Sequence, residues 1–203
     1  MANSDARFGL RPITQGNAGG FTGKVRQYYV PVGYATALYI GDPVVKTGTS
    51  NTAGAGLGKE WAAGTLQEIN KATAGATNEL TGAIVGFDVD PNNLDKSYNP
   101  ASTARVVHVA DDPHQEFEIQ SDSGAVTAAT DIGTNADVIY THAGDTATGL
   151  SGAELDTSAM SADATFQLSI LGLIPRENNA LGTNSKLRVR INLHTEANVV
   201  VGI

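Results

Sequence analysis

His108, Asp111, Asp112 and His114 fall within seven residues, and imidazole with carboxylate is a donor set that hard and borderline divalent metals accept. Their spacing matches no ligand pattern, however, and Asp112-Pro113 is a turn signal. The group therefore reads as the end of a strand followed by an Asp-Pro turn, with an ion near His108 and His114 left open. The run Gly54-Ala55-Gly56-Leu57-Gly58-Lys59-Glu60 invites comparison with a phosphate-binding loop. It fails because the first glycine of that pattern would fall at Ala53, and because Glu60 stands where a Ser or Thr must reach magnesium. Ser, His and Asp side chains are plentiful, but no Gly-x-Ser-x-Gly elbow presents a nucleophile between strand and helix.

Paired carboxylates raise the possibility of glycoside hydrolysis, since Asp88 with Asp90, and Glu116 with Glu118, share a strand face. The second pair has a plainer use. Arg188 and Arg190 alternate out of another strand, and if the two strands are neighbours the four residues form opposite-charge cross-strand pairs worth roughly 0.2–1 kcal/mol each. Aromatic residues make up only 6% of the chain, with a single Trp at 61, fewer than a sugar-stacking or base-stacking platform would use. No residue is assigned a catalytic, cofactor-binding or metal-ligating role, and no enzyme activity is expected.

The elements that would position these groups are mostly strands. Residues 25–31 and 37–45 are aromatic and β-branched runs, 80–90 is a third run broken by Gly82 and Gly86, and 105–109 is short and apolar. Glu116-Phe117-Glu118-Ile119-Gln120 alternates cleanly, as do residues 166–170 and 187–194, and these last two predict a hairpin across a polar connection at 175–185. One short helix is predicted to start in 150–155, where Ser151 and Glu154 are spaced as a capping box, and to end before Ser161. Residues 47–58 read as an exposed loop rich in Gly, Thr, Ser and Ala. The expected fold is mainly β, an antiparallel sandwich or barrel, with an extended N-terminal arm and one short helix.

That arm covers 1–24, with a β-rich domain over 25–203 whose division into two lobes near 95–103 is left open. Within the polar arm sits one compact cluster, Arg7, Phe8, Leu10, Arg11 and Pro12, which either anchors on a neighbouring subunit or tucks into its own domain. Leu, Ile, Val and Phe number 14, 11, 16 and 5 among the 203 residues. That places the chain just above the roughly 20% below which disorder is the better expectation. A core this thin favours oligomerisation or docking on something larger. The net charge of −8 argues against nucleic acid or an anionic membrane as partner. With no Cys, disulfides and thiolate sites are excluded. No apolar run is long enough to cross a bilayer, so a soluble protein made in the cytoplasm is expected. Charge is also segregated: residues 106–175 contain no Lys or Arg but eleven Asp and Glu, while both ends carry most of the cations.

Several segments together carry a family resemblance. They are Arg7-Phe8-Gly9-Leu10-Arg11-Pro12, the stretch 33–44 beginning Gly33-Tyr34-Ala35-Thr36, the stretch 110–120 beginning Ala110-Asp111-Asp112-Pro113, Asp131-Ile132-Gly133-Thr134-Asn135, and Arg190-Ile191-Asn192-Leu193-His194. In these the chain resembles virion structural proteins of tailed bacteriophages, specifically head decoration (cement) proteins. The resemblance implies a β-rich homo-oligomer, with a trimer favoured, bound to the major capsid protein on the outer surface of the expanded head. The interface would be formed by Arg7, Phe8, Leu10, Arg11 and Pro12. Two other readings remain: a tail or neck component, or a module that binds or cleaves host-surface polysaccharide through Asp88, Asp90 or Glu116.

Overall fold

The computed structural model describes residues 3–16, 19–53, 61–126 and 128–197. The first six strands are β1 (Arg11–Gln15), β2 (Arg26–Val30), β3 (Pro43–Ser50), β4 (Gln67–Lys71), β5 (Gly82–Phe87) and β6 (Arg105–Ala110). After them come β7 (Gln115–Gln120), β8 (Ala125–Val126), β9 (Asn135–Ala136), β10 (Val138–Ile139) and β11 (Glu154–Leu155). The last three are β12 (Leu168–Leu173), β13 (Gly182–Thr183) and β14 (Lys186–Ile191).

Five of these close a barrel in the order β2-β4-β3-β5-β6, antiparallel except for the parallel contact of β2 with β4 at Tyr29 and Glu68. Its interior follows the two-residue period of a strand. Tyr28 and Val30 of β2, Ile84 of β5, and Val107 and Val109 of β6 point inward with Val44 and Ile69. Tyr29 and Val106, each one residue out of phase, pack with Leu66 on the outer wall instead.

The second unit is a five-stranded antiparallel sheet, β1-β7-β14-β12-β9. Its core gathers Leu10, Phe117, Ile119, Leu155, Leu168, Ile170, Leu187 and Val189, all essentially without solvent contact. Burying each such side chain contributes about 1.5–3 kcal/mol. Ala72, Ala83 and Ala110 join this core from the outward face of the barrel. Small residues there let the barrel wall approach the sheet closely, which is where the chain's Ala-rich composition is used.

The mainly β expectation is met, and the predicted pairing of the 166–170 and 187–194 runs is seen as β12 against β14. Several local readings need correction. Residues 150–160 are not helical: Glu154–Leu155 is β11, paired with Val138–Ile139, and the helical turn among the described residues is the short 3-10 segment Ala129–Asp131. The capping-box spacing loses to tertiary partners, because the Ser151 backbone N–H donates to the Ile40 carbonyl and its hydroxyl donates to Asp42. Thr47–Ser50 is strand rather than loop, held at its end by Ser50 opposite Gln67, while 54–58 lie outside the described residues. Strand β4 had no clear signal, since Gln67-Glu68-Ile69-Asn70-Lys71 buries Ile69 alone in the barrel. Segment 95–103 joins two barrel strands, β5 and β6, while the chain passes from sheet to barrel between β1 and β2 and back to the sheet between β6 and β7. Among the described residues no helix is long and apolar enough to cross a membrane.

Candidate docking site at the N-terminal crossing

The segment 7–12 runs between the two units. Leu10 donates its N–H to the Gly41 carbonyl at 2.9 Å, and Gly41 in turn donates to the Ile84 carbonyl at 2.7 Å. From Arg11 the chain becomes β1, the edge of the sheet, with Arg11 opposite Glu118 and Pro12 opposite Phe117. Phe8 and Leu10 are buried in their own domain, with relative exposures of 6% and 0%. Of the two readings for this cluster, the structure places its apolar members in cis.

What remains accessible is a shallow groove of about 230 Å³ whose walls include Phe8, Leu10, Arg11, Pro12, Phe21, Ile40 and Val85. Arg11 stands half-exposed at its side, with its guanidinium 4.2 Å from the Phe8 ring centroid and 3.9 Å from a Glu118 oxygen. The ring contact fixes the cation without neutralising it, an interaction worth about 0.5–1 kcal/mol at an exposed site. Arg7 is 3.1 Å from Asp5 and does not line the groove.

Beneath the crossing lies a polar cluster that sequence spacing did not reveal. Asp42, fully buried, accepts the Ser151 hydroxyl at 2.6 Å, the Lys71 ammonium at 3.0 Å and the Tyr39 N–H at 2.8 Å. Lys71 also sits 4.4 Å over the Tyr140 ring. Ser, Lys and Asp in contact suggest nucleophilic chemistry, but the Ser151 proton is directed at a carboxylate already paired with the lysine, and Ser151 is inaccessible to substrate. The cluster ties loop 150–152 to the start of β3.

Residues 3–6 are held by a second network. Gln120 accepts the Ala6 N–H at 2.8 Å and the Lys186 ammonium at 2.9 Å, and its amide donates to Asp5 at 2.8 Å and Glu154 at 3.0 Å. Asn3 donates to the carbonyls of Ala180 and Thr183. Burial raises the Glu154 carboxyl above the ordinary glutamate value against the opposing effects of Gln120, His142 and Arg7, and burial lowers the Lys186 ammonium.

The other groups singled out by type are dispersed among structural partners. His108 is 2.8 Å from Asp88, Asp111 accepts the Tyr28 hydroxyl at 2.7 Å, and Asp112 lies 2.7 Å from Lys24. Among the described residues, no three His, Asp or Glu side chains converge as a metal site. Asp90 is occupied by the Asn92 N–H and the Asn93 amide, and is held below the ordinary aspartate range chiefly by the Asn93 bond. Strands β7 and β14 are neighbours, with Arg188 opposite Glu118 and Arg190 opposite Glu116. One expected cross-strand ion pair forms, on the diagonal between Glu116 and Arg188, while Glu118 takes its partner from outside the two strands. Glu118 is gripped by Arg176 at 2.7 Å and Glu116 by Arg188 at 3.8 Å. Arg176, in the connection rather than on a strand, has no periodicity that could have flagged it.

No family model matches the chain, and no curated protein or solved structure matches it.

Proposed function

We propose that the chain is a non-enzymatic head decoration protein that binds the outer surface of the expanded phage capsid and braces contacts between capsomers of the major capsid protein. The observation that supports this most is one accessible apolar groove at which Pro12 and the exposed Arg11, two of the motif residues carrying the family resemblance, stand over buried Phe8 and Leu10. Such a groove suits an apolar side chain of the capsid protein with an acidic neighbour, the anchor supplying buried area and the charge supplying orientation. Modest affinity per copy is multiplied when an oligomer engages several sites at once, and a homotrimer is the favoured form.

The test is co-sedimentation of the purified protein with expanded capsids that lack it. Saturation at a fixed multiple of the icosahedral lattice is expected, with Arg11→Ala weakening binding about tenfold or more while the fold persists. Deleting residues 1–13 is a poor substitute, because it removes Leu10 from the core and β1 from the sheet. Absence of capsid binding by the folded protein would overturn the reading in favour of a tail or neck role.

A further inference from the structure

Beside one end of the barrel, against its outer wall, lies a concavity of about 520 Å³, within the range of roughly 300–1,000 Å³ usual for small-molecule sites, and it shares no residue with the groove at the crossing. Its polar lining is Thr52, Asp90, Asn92, Asn93, Ser102 and Thr103. Tyr29 and Val32 supply an apolar wall, and Val32 is 63% exposed. Among the described residues no Lys, Arg or His lines it.

The loops around it are fixed from below. Buried Arg105 donates from Nε to the Asp88 carbonyl and from Nη1 to the Tyr98 carbonyl, each at 2.8 Å, clamping both sides of the 88–104 excursion. Ser102 is held at φ 55°, a left-handed conformation rare for a residue with a side chain, while its N–H donates to the Tyr34 carbonyl at 2.8 Å. Strain of this kind, fixed by surrounding bonds, collects at ligand-binding loops. Asp90 is oriented by two hydrogen bonds, and each of its oxygens retains a lone pair for a ligand.

We propose that this concavity binds a neutral oligosaccharide. Planar carboxylate and amide groups beside hydroxyls match the paired donor and acceptor character of vicinal sugar hydroxyls, and the Val32 and Tyr29 wall suits the C–H face of a pyranose ring. Asp90 is the one charged side chain among the described lining residues, with Arg105 close enough below to act on it, and its carboxylate disfavours phosphate, sulfate and sialic acid. The low aromatic content is consistent with a site built on hydrogen bonds rather than on stacking. The inference is independent of capsid binding.

The test is amide chemical-shift perturbation of the full chain titrated with maltohexaose, cellohexaose and a mannan oligosaccharide, with dextran sulfate as the anionic comparison. At least one neutral sugar should perturb the amides of Asn92, Asn93 and Ser102. Asn92→Ala should weaken that binding about fivefold to tenfold, as expected for loss of one or two hydrogen bonds. Ser102→Gly should weaken binding while raising thermal stability, because glycine relieves the left-handed strain; a purely structural role would not divide the two readouts in this way. Arg190→Ala, away from the concavity, should leave binding unchanged. Failure of every neutral sugar to perturb these amides, unchanged affinity in Asn92→Ala, or preference for dextran sulfate would overturn the proposal.

Discussion

Gly9 and Gly41 cross backbone to backbone: a Cβ on Gly9 would lie 2.2 Å from the Gly41 carbonyl oxygen, and a Cβ on Gly41 would lie 2.1 Å from the Phe8 carbonyl oxygen. Both residues also have φ in the left-handed region, 70° and 90°. The contact lets the N-terminal segment pass the barrel closely enough for the bond from Leu10 to Gly41 to form. Gly9→Ala and Gly41→Ala should each destabilise the protein by about 2–4 kcal/mol, from backbone strain and from displacement of a rigid neighbour. Thermal unfolding would show this as a fall of roughly 4–16 °C in Tm for a chain of this size. A Tm within a degree or so of the parent would refute the close crossing.

The Ser151 hydroxyl is one of three donors to the buried Asp42 carboxylate. Ser151→Ala should cost about 1–3 kcal/mol, and Asp42→Ala more, since it strands the Lys71 ammonium in a mostly buried position. Urea unfolding of both variants checks the order. Equal and negligible losses would mean that the cluster does not hold loop 150–152 to the barrel.

Glu118 should couple to Arg176 and not to Arg190. A double-mutant cycle on Glu118 and Arg176 is expected to give a coupling of about 1–3 kcal/mol, because the carboxylate is buried and gripped at two atoms. The cycle on Glu118 and Arg190 should be additive within about 0.5 kcal/mol. The reverse outcome would place the ion pair on the strands and not in the connection.

Glu154 sets a pH dependence. In the folded chain its carboxyl is held above the ordinary glutamate value by burial, so it binds its proton more tightly than in the unfolded chain. Its contribution to stability is therefore complete below the ordinary glutamate range and is lost as pH rises through the folded value. Facing it are Gln120, His142, Arg7 and Asp5. Glu154→Gln keeps the shape and removes the charge, so the Tm advantage of the variant over the parent should grow between pH 4 and pH 7. A constant difference across that interval would show that Glu154 does not titrate with folding.

Strand alternation made much of this molecule legible in advance. The 116–120 and 187–194 runs announce strands with one apolar face because of their two-residue period, and the charges on their other face pair across the two strands only at Glu116 and Arg188. The readings that failed depended on partners distant in sequence. Ser151 carries a capping-box spacing, yet its hydroxyl is claimed by Asp42, 109 residues away. Strand β4 buries a single apolar side chain, so its pattern is silent until β3 supplies the ladder. The grip of Arg176 on Glu118 comes from a loop, where no period operates.

Composition, charge segregation and the Phe8–Leu10 anchors are local properties, and for that reason the sequence by itself determined that the chain is β-rich, acidic and short of core. Whether those anchors face a neighbour or their own domain was decided only by the tertiary structure. There the paired glycines at 9 and 41 bring two backbones within hydrogen-bonding distance, and Leu10 finds its burial in cis. The same holds for the concavity beside the barrel end. Its polar side chains come from three separate segments, and only closure of the barrel, with Arg105 pinning the carbonyls of Asp88 and Tyr98, gathers them around one space.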